Sequence, residues 1–146
     1  MIYEGFRYRI LSDPDIAAML AGKFYPLAAP QDVALPYVTF GETSEEGTPS
    51  HSGGSGGLAR TVFRIAVWTD NYMESRRLGD LIRDMMDGYK GPAGAGTITS
   101  CFKSDARDRY APPMDGGNLG IFGRETDYRV RYVEAAPTLD AASTLQ

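Results

Sequence analysis

Few residues in this chain could carry chemistry, and their surroundings do not form a catalytic group. His51 is the only histidine and Cys101 the only cysteine among the 146 residues. His51 lies between two serines in a glycine-rich segment, whereas a general base needs a ring held by an orienting partner. Cys101 lies beside Phe102 in a predicted strand, and a thiol becomes a nucleophile only near a cation or a helix N-terminus. The sequence therefore predicts an exposed histidine, a buried thiol and no catalytic residues.

Ligand-binding motifs are present only in part. The segment 54–59 spells G-x-G-x-x-A, but it precedes a predicted strand, whereas a dinucleotide loop follows a strand and opens a helix. Asp105, Asp108 and Asp115 lack the spacing of a calcium loop, so a solvated charged loop is the preferred interpretation. One cysteine and one histidine cannot complete a classical zinc site. The sequence predicts no cofactor and no metal.

Composition indicates a single globular domain. The chain is 42% hydrophobic and 23% charged, as is ordinary for folded domains. The formal net charge of −4 argues against a protein that grips phosphate backbones, because such proteins need basic patches. No apolar run approaches the ~18 residues of a membrane span, so no membrane partner is expected. The first ten residues do not resemble a secretory signal.

The elements that would position these residues follow the order α-β-β-α-β-β. Residues 3–22 are predicted to be helical with a break at 12–15, and the three prolines of 23–36 predict an extended connector. Ser12 or Asp13 can cap the helix that follows the break. A second helix is predicted to begin after a cap at Asp70 or Asn71 and to end at about residue 89. Strands are predicted at residues 37–42, 58–70, 97–102 and 119–133. Long loops are predicted at 43–57 and 104–118.

Periodicity predicts how these elements pack. The second helix carries one apolar stripe at helical spacing, formed by Leu78, Leu81, Ile82, Met85, Met86 and Tyr89. In strand 58–70, Phe63, Ile65 and Val67 alternate with a face that includes Arg64 and Trp68. The predicted fold class is therefore α+β, with a mainly antiparallel four-stranded sheet and helices packed on one face. Residues 1–133 are predicted to form the domain and residues 134–146 an extended tail.

Charged residues on the strands have mixed signs. Five arginines interleave with Glu125 and Asp127, and these arginines are Arg60, Arg64, Arg124, Arg129 and Arg131. Mixed signs favour cross-strand or intersubunit ion pairs over a nucleic-acid-binding stripe.

Three stretches of the sequence carry a family resemblance. The first is FYPLAAPQ at 24–31 followed by LPYV at 35–38, and the second is FRIAVW at 63–68 followed by an acidic-capped helix. The third is DRY at 108–110 with DG at 115–116 leading into the last strand. In this order and spacing they resemble the tail-completion (tail-terminator, head-to-tail joining) proteins of long-tailed phages and prophages, over about residues 3–133.

The resemblance implies a non-enzymatic structural protein of the virion tail or neck, assembled in the host cytoplasm. Family members close the tail tube as a ring, usually a hexamer, and present a surface to head-side proteins. The implied partners are copies of this chain, the tail tube protein and a head-completion or stopper protein. DNA is expected to pass through the ring without specific binding.

Expected site residues follow from this implied role. Those expected to contact other subunits or partners are Phe24, Tyr25, Arg64, Trp68, Arg109, Tyr110, Arg129 and Arg131. Carboxylates facing the lumen would repel phosphates, and the residues expected there are Glu45, Glu46, Asp105 and Asp108. The segment 43–57 is expected to become ordered only between subunits.

Two other classes of function remain open at this stage. A small α+β ligand-binding or regulatory module would use a pocket between the helix stripe and the sheet, lined by tyrosine and methionine. An enzyme would have to use Cys101. Thermal stabilisation by a metabolite would favour the module, and a ring formed without ligand would favour the tail protein.

Overall fold

The computed structural model of the chain describes residues 2–49, 55–93, 96–112 and 120–133. Within these residues, three helices and six strands occur, and the strands form one sheet in the order β1-β2-β3-β6-β5-β4. In chain order the elements are α1 (Ile2–Leu11), α2 (Pro14–Leu20), β1 (Phe24–Pro26), β2 (Tyr37–Pro49), β3 (Ser55–Thr69), α3 (Tyr72–Met86), β4 (Gly91–Ala93), β5 (Gly96–Ala111) and β6 (Ile121–Val133).

The fold is α+β, but the sheet has six mixed strands where four antiparallel strands were predicted. The two additional strands, β1 and β4, are three residues long and lie at the two edges. β1 lies in the proline-rich connector and runs parallel to β2, with Phe24 opposite Val38. β4 pairs with the first residues of β5. Both strands contain proline, which sheets tolerate at an edge, and both are too short to show a period.

The two segments predicted as long loops are largely strand. β2 and β3 form an antiparallel hairpin whose pairing extends to Pro49 opposite Ser55. β5 continues through residues 104–111 and ends with Ala111 opposite Ile121 of β6. Strands pair through backbone hydrogen bonds, which residues of almost any type can form. A prediction based on alternating apolar residues therefore makes such strands too short. The loop predictions are therefore wrong for the residues described at 43–49, 55–57 and 104–111.

The helix boundaries agree with the capping signals in the sequence. Asp13 caps α2 and Asn71 caps α3, and each Oδ1 accepts two first-turn N–H groups at 2.8–3.3 Å. The second predicted helix, α3, ends at Met86, three residues before the predicted end. There Gly88 adopts a φ of +81°, and its N–H donates to the Cys101 carbonyl at 2.7 Å. That bond ties the end of α3 to β5.

The core lies between the helices and one face of the sheet. Phe63, Ile65 and Val67 of β3 are buried, as predicted. Phe6 of α1 packs against Phe63, with ring centroids 4.7 Å apart. The remaining buried side chains come from all three helices and from β6, and include Ile10, Ile16, Leu20, Leu78, Ile82, Met86, Tyr128, Val130 and Tyr132. Because every described helix contributes to this side, the opposite face of the sheet is left without a helical cover in the described part of the chain.

Candidate functional site

The candidate site is the face of the sheet opposite the helices, which we call the open face. It is formed by the residues that alternate with the core along the strands. Cross-strand pairing places Trp68 opposite Gly123, Arg64 opposite Asp127 and Arg60 opposite Arg131. The open face thus runs from a tryptophan end, through a charged centre, to an arginine-lined groove.

The charged centre joins three strands through alternating charges. Asp127 accepts hydrogen bonds from Arg64 Nε at 2.9 Å and from Arg107 Nη2 at 3.0 Å. Glu125 accepts a hydrogen bond from Arg107 Nη1 and another from Arg109 Nη2, the latter at 3.2 Å. Glu125 is only 9% exposed and Asp127 only 8%. Buried carboxylates need such partners, because an unpaired buried charge is costly.

Asp127 and Arg107 of this centre hold each other in their charged forms. Burial disfavours the charged form of Asp127, but hydrogen bonds and charges from Arg64 and Arg107 outweigh it and lower the pKa of the carboxyl group. The same network raises the pKa of Arg107, mainly through its hydrogen bonds to Asp127 and Asp105. A general acid or base needs a pKa near the working pH. The charged centre is therefore suited to holding β3, β5 and β6 in register, not to proton transfer.

The tryptophan end is closely packed. Trp68 Nε1 donates to Thr39 Oγ1 at 3.2 Å, and its ring lies over Gly123, where an added Cβ would come within 2.7 Å of it. Beside it, Leu27 is 80% exposed and adopts a φ of +63°. These residues border a depression of about 320 Å³. The tryptophan end therefore presents apolar surface to solvent.

Most predicted interface residues lie on the open face. The strand pairings place six of the eight there: Tyr25, Arg64, Trp68, Arg109, Arg129 and Arg131. Phe24 is 4% exposed and packs against Phe40, with ring centroids 4.9 Å apart, so it belongs to the core of its own subunit. Tyr110 is exposed on the helix side, where it packs against Phe122.

The two described aspartates predicted to face a lumen point to opposite faces of β5. Asp105 lies on the open face, with its Oδ2 2.7 Å from Arg107 Nη2. Asp108 lies near the start of α3, where it accepts hydrogen bonds from the Tyr72 hydroxyl at 3.0 Å and Arg124 Nη1 at 3.2 Å. Of the five strand arginines expected to form cross-strand or intersubunit ion pairs, Arg64 and Arg124 form cross-strand pairs within the subunit. Both aspartates are neutralised by arginines within the subunit.

Several predictions concern parts of the chain outside the described residues. These are the side chains of Glu45 and Glu46 in β2, the residues His51 and Asp115, and the tail 134–146.

Sequence reasoning missed Arg107, which joins both carboxylates of the charged centre. It was assigned to a charged loop because the segment has few apolar residues. A signal was present, since Asp105, Arg107 and Arg109 recur at a spacing of two, which places side chains on one face of a strand.

The pocket required by a ligand-binding module is filled. Leu78, Ile82 and Met86 of α3 are at most 1% exposed and pack into the core against the sheet. Among the residues that the structure covers, no group of three or more His, Cys, Asp or Glu side chains could hold a metal ion. None of the described helices combines the length and apolarity needed to cross a membrane.

Cys101 faces the core from β5 and is 0% exposed. Burial is the main cause that raises the pKa of its thiol to about 12. Because the thiolate is the reactive form, we expect an aromatic disulfide reagent to label the native protein at least about 100-fold more slowly than the unfolded protein. Absorbance of the released thiolate measures both rates. Equal rates in buffer and in concentrated guanidinium chloride would contradict the burial of Cys101.

Comparisons with known proteins add a family match. The model of the family described as Tail completion protein gp17 matches residues 6–132. Among solved structures, a chain of "Virion of native gene transfer agent (GTA) particle" superposes with a TM-score of 0.68 and 19% sequence identity, covering 88% of this chain and 91% of that chain. At this identity the likeness shows a shared fold. A comparison with curated proteins returns no match.

Proposed function

The chain belongs to the tail completion protein gp17 family, and we propose that it closes the tail tube of a phage or phage-like particle as a ring. Membership makes it a structural protein of the virion tail. The proposal adds that the ring is a hexamer, that it joins the tail to the head-side connector, and that it performs no catalysis. Its partners would be its own copies, the tail tube protein and a head-completion or stopper protein.

Two long strand edges carry the proposal of a ring. β1 pairs with only Val38–Phe40 of β2, and β4 pairs with only Gly96–Ile98 of β5. Among the described residues, the rest of each strand has no neighbouring strand on that side. The end of α3 occupies part of the β5 edge, where Gly88 N–H donates to the Cys101 carbonyl and Asp87 accepts from Lys103 N–H, so the free part of this edge lies beyond Lys103. Such edges expose backbone donors and acceptors that pair readily with another chain. Because the two edges differ, their contact is heterologous, and repeated heterologous contacts close into a ring when the rotation permits.

Charge favours pairing between the two unlike edges. Residues 41–49 of β2 contain three acidic residues and no basic one, whereas residues 99–111 of β5 contain three basic and two acidic residues. Opposite net charges steer unlike edges together, and like charges disfavour pairing of two β2 edges. This asymmetry supports a head-to-tail arrangement of subunits.

The proposed contact surface combines the edges with the open face. We assign to it Tyr25, Arg64, Trp68, Arg109, Tyr110, Arg129 and Arg131, and omit Phe24 because it is buried in its own subunit. We keep Glu45, Glu46 and Asp105 as carboxylates proposed to face the lumen, and omit Asp108 because it lies on the opposite face of β5, bound by Tyr72 and Arg124. With a net charge of −4, the ring would let DNA pass without holding it.

Native mass spectrometry and electron microscopy of the purified protein test the ring. We expect a closed sixfold assembly, alone or with the tail tube protein. A monomer under every condition, with the tube protein included, would overturn the proposal.

A charge placed beside the β5 edge tests where subunits meet. Tyr110 is 57% exposed near the end of this edge. We expect Tyr110→Asp to raise the concentration needed for assembly by at least about tenfold, because a buried carboxylate without a partner is costly. The matched control is Tyr8→Asp, since Tyr8 is 76% exposed on α1. Sedimentation velocity measures both variants, and equal assembly by the two would place the interface elsewhere.

A further inference from the structure

We propose that the arginine-lined groove of the open face binds the chain's own C-terminal segment, residues 134–146. The groove has a volume of about 620 Å³ and lies across β3, β5 and β6. Arg60, Arg129 and Arg131 line it, together with Val62 and Phe102. The proposed ligand is thus an acidic, partly apolar peptide in extended form.

The positive charges of this groove have no ion-pair partner among the described side chains. Glu46 of β2 lies opposite Arg60, but its side chain is outside the described part of the chain. Arg60 and Arg131 lie directly opposite each other on β3 and β6, and Arg129 lies opposite Val62. None of the three arginines has a described carboxylate within 4.0 Å, whereas Arg64 and Arg107 of the charged centre are each paired twice or more. Like charges directly opposite on neighbouring strands are destabilising. An anion placed between these arginines would relieve that repulsion.

Apolar surface in the groove favours a peptide over a phosphate backbone. Phe102 is 55% exposed, and Val62 is half-buried beside it. Burial of such side chains stabilises a complex only when the ligand brings apolar groups of its own. A peptide that carries both carboxylates and leucines can contact the arginines of the groove as well as its apolar side chains.

The C-terminal segment has this composition. Its sequence, EAAPTLDAASTLQ, contains Glu134 and Asp140, the leucines Leu139 and Leu145, and no basic residue. Charge and apolar content therefore complement the groove.

The segment also begins beside the groove. It follows Val133, two residues after Arg131 on β6. Asp140 lies seven residues beyond Val133 and can reach ~23–25 Å, whereas Arg129 lies only ~13 Å back along the strand. Over so short a tether the effective concentration is of millimolar order, which favours the chain's own segment over that of a second copy.

Docking would have a consequence for DNA. The segment would cover the arginines of this groove, which a phosphate backbone could otherwise contact, and Arg129 and Arg131 would then meet a neighbouring subunit only through the docked segment. The open face would then keep no free basic cluster at this groove.

Hydrogen exchange of the full-length protein tests the docking. We expect amides of residues 134–146 to exchange at least about tenfold faster in the double variant Arg129→Glu, Arg131→Glu than in the wild type. The same loss is expected for Glu134→Arg with Asp140→Arg. Combining all four substitutions should restore protection, because the pairs re-form with reversed charge. Arg7→Glu, an exposed arginine on α1, is the matched control and should change nothing.

Three results would overturn the proposal. The first is equal exchange of residues 134–146 in the wild type and the arginine double variant while circular dichroism shows both folded. The second is protection that disappears on dilution, which would assign the occupant to a second copy. The third combines two observations: the fourfold variant does not regain protection, and it binds a duplex oligonucleotide less well than the wild type does. Together they would make the groove a nucleic-acid site.

Discussion

Replacing Phe6 with alanine lowers the free energy of unfolding by an expected 3–5 kcal/mol, roughly the cost of deleting a buried ring. Phe6 is 1% exposed. Its ring centroid lies 4.7 Å from that of Phe63 and 6.5 Å from that of Tyr128. It is thus the contact through which α1 reaches both central strands. Because hydrogen bonds hold the sheet below it, the walls of the resulting cavity can collapse only in part.

Denaturant titration followed by circular dichroism measures the effect of Phe6→Ala, and the melting temperature should fall by roughly 10–20 °C. The matched control is Tyr8→Ala on the same helix. Tyr8 is 76% exposed, so its loss should change the free energy of unfolding by less than about 0.5 kcal/mol. Similar values for the two variants would mean that α1 does not pack on the sheet as described.

Elements with a repeating apolar pattern were predictable from the sequence. The stripe on α3 and the alternation of Phe63, Ile65 and Val67 place the core correctly, because burial of apolar surface sets both patterns. The caps were readable to within one residue, at Ser12 or Asp13 and at Asp70 or Asn71, since capping depends on one side chain and the next few N–H groups.

The edges and the outer parts of the hairpins were not predictable by the same means. β1 and β4 exist because β2 and β5 lie beside them, and no local pattern marks a three-residue strand. Residues 104–111 have the composition of a loop, yet their backbone pairs with β6. Tertiary pairing outweighs local propensity in such strands.

The charged centre depends on register, which a sequence alone does not supply. Arg64 meets Asp127 because β3 and β6 pair at that position. A slip of one residue would turn every side chain to the other face. The sequence indicated that arginines and carboxylates would pair across strands, but identifying Arg107 as the shared partner required the position of β5.

The family, in contrast, was recognisable without any chemical motif. Three stretches in the right order and spacing carry the resemblance, chiefly FYPLAAPQ followed by LPYV, and the family match over residues 6–132 includes all three. A structural protein of the virion works through the surfaces by which it contacts other proteins. Its sites are therefore surfaces, and their positions emerge only when strands are assembled.

Removing the carboxylate of Asp127 is expected to be the largest perturbation of the open face. Asp127→Ala should lower the free energy of unfolding by about 2–3 kcal/mol, because it removes one of the two carboxylates that Arg64 and Arg107 share and leaves only Glu125 in common. This expected loss is at the low end for a buried ion pair, since the Arg64 side chain is 41% exposed and water partly replaces the carboxylate. The control Asp70→Ala removes an exposed aspartate and should cost under about 0.5 kcal/mol.

The same carboxylate should make stability depend on pH in acid. The pKa of Asp127 is lowered in the folded state, so the unfolded chain binds its proton more tightly than the folded protein does. Its contribution is therefore complete above the ordinary aspartate pKa of ~3.9, and is lost as the pH falls through the lowered folded value. Asp127→Asn removes this titration with little change of shape. We expect urea titrations between neutral and acidic pH to give a shallower fall in stability for Asp127→Asn than for the wild type, and parallel curves would contradict the pairing of Asp127 with Arg64 and Arg107.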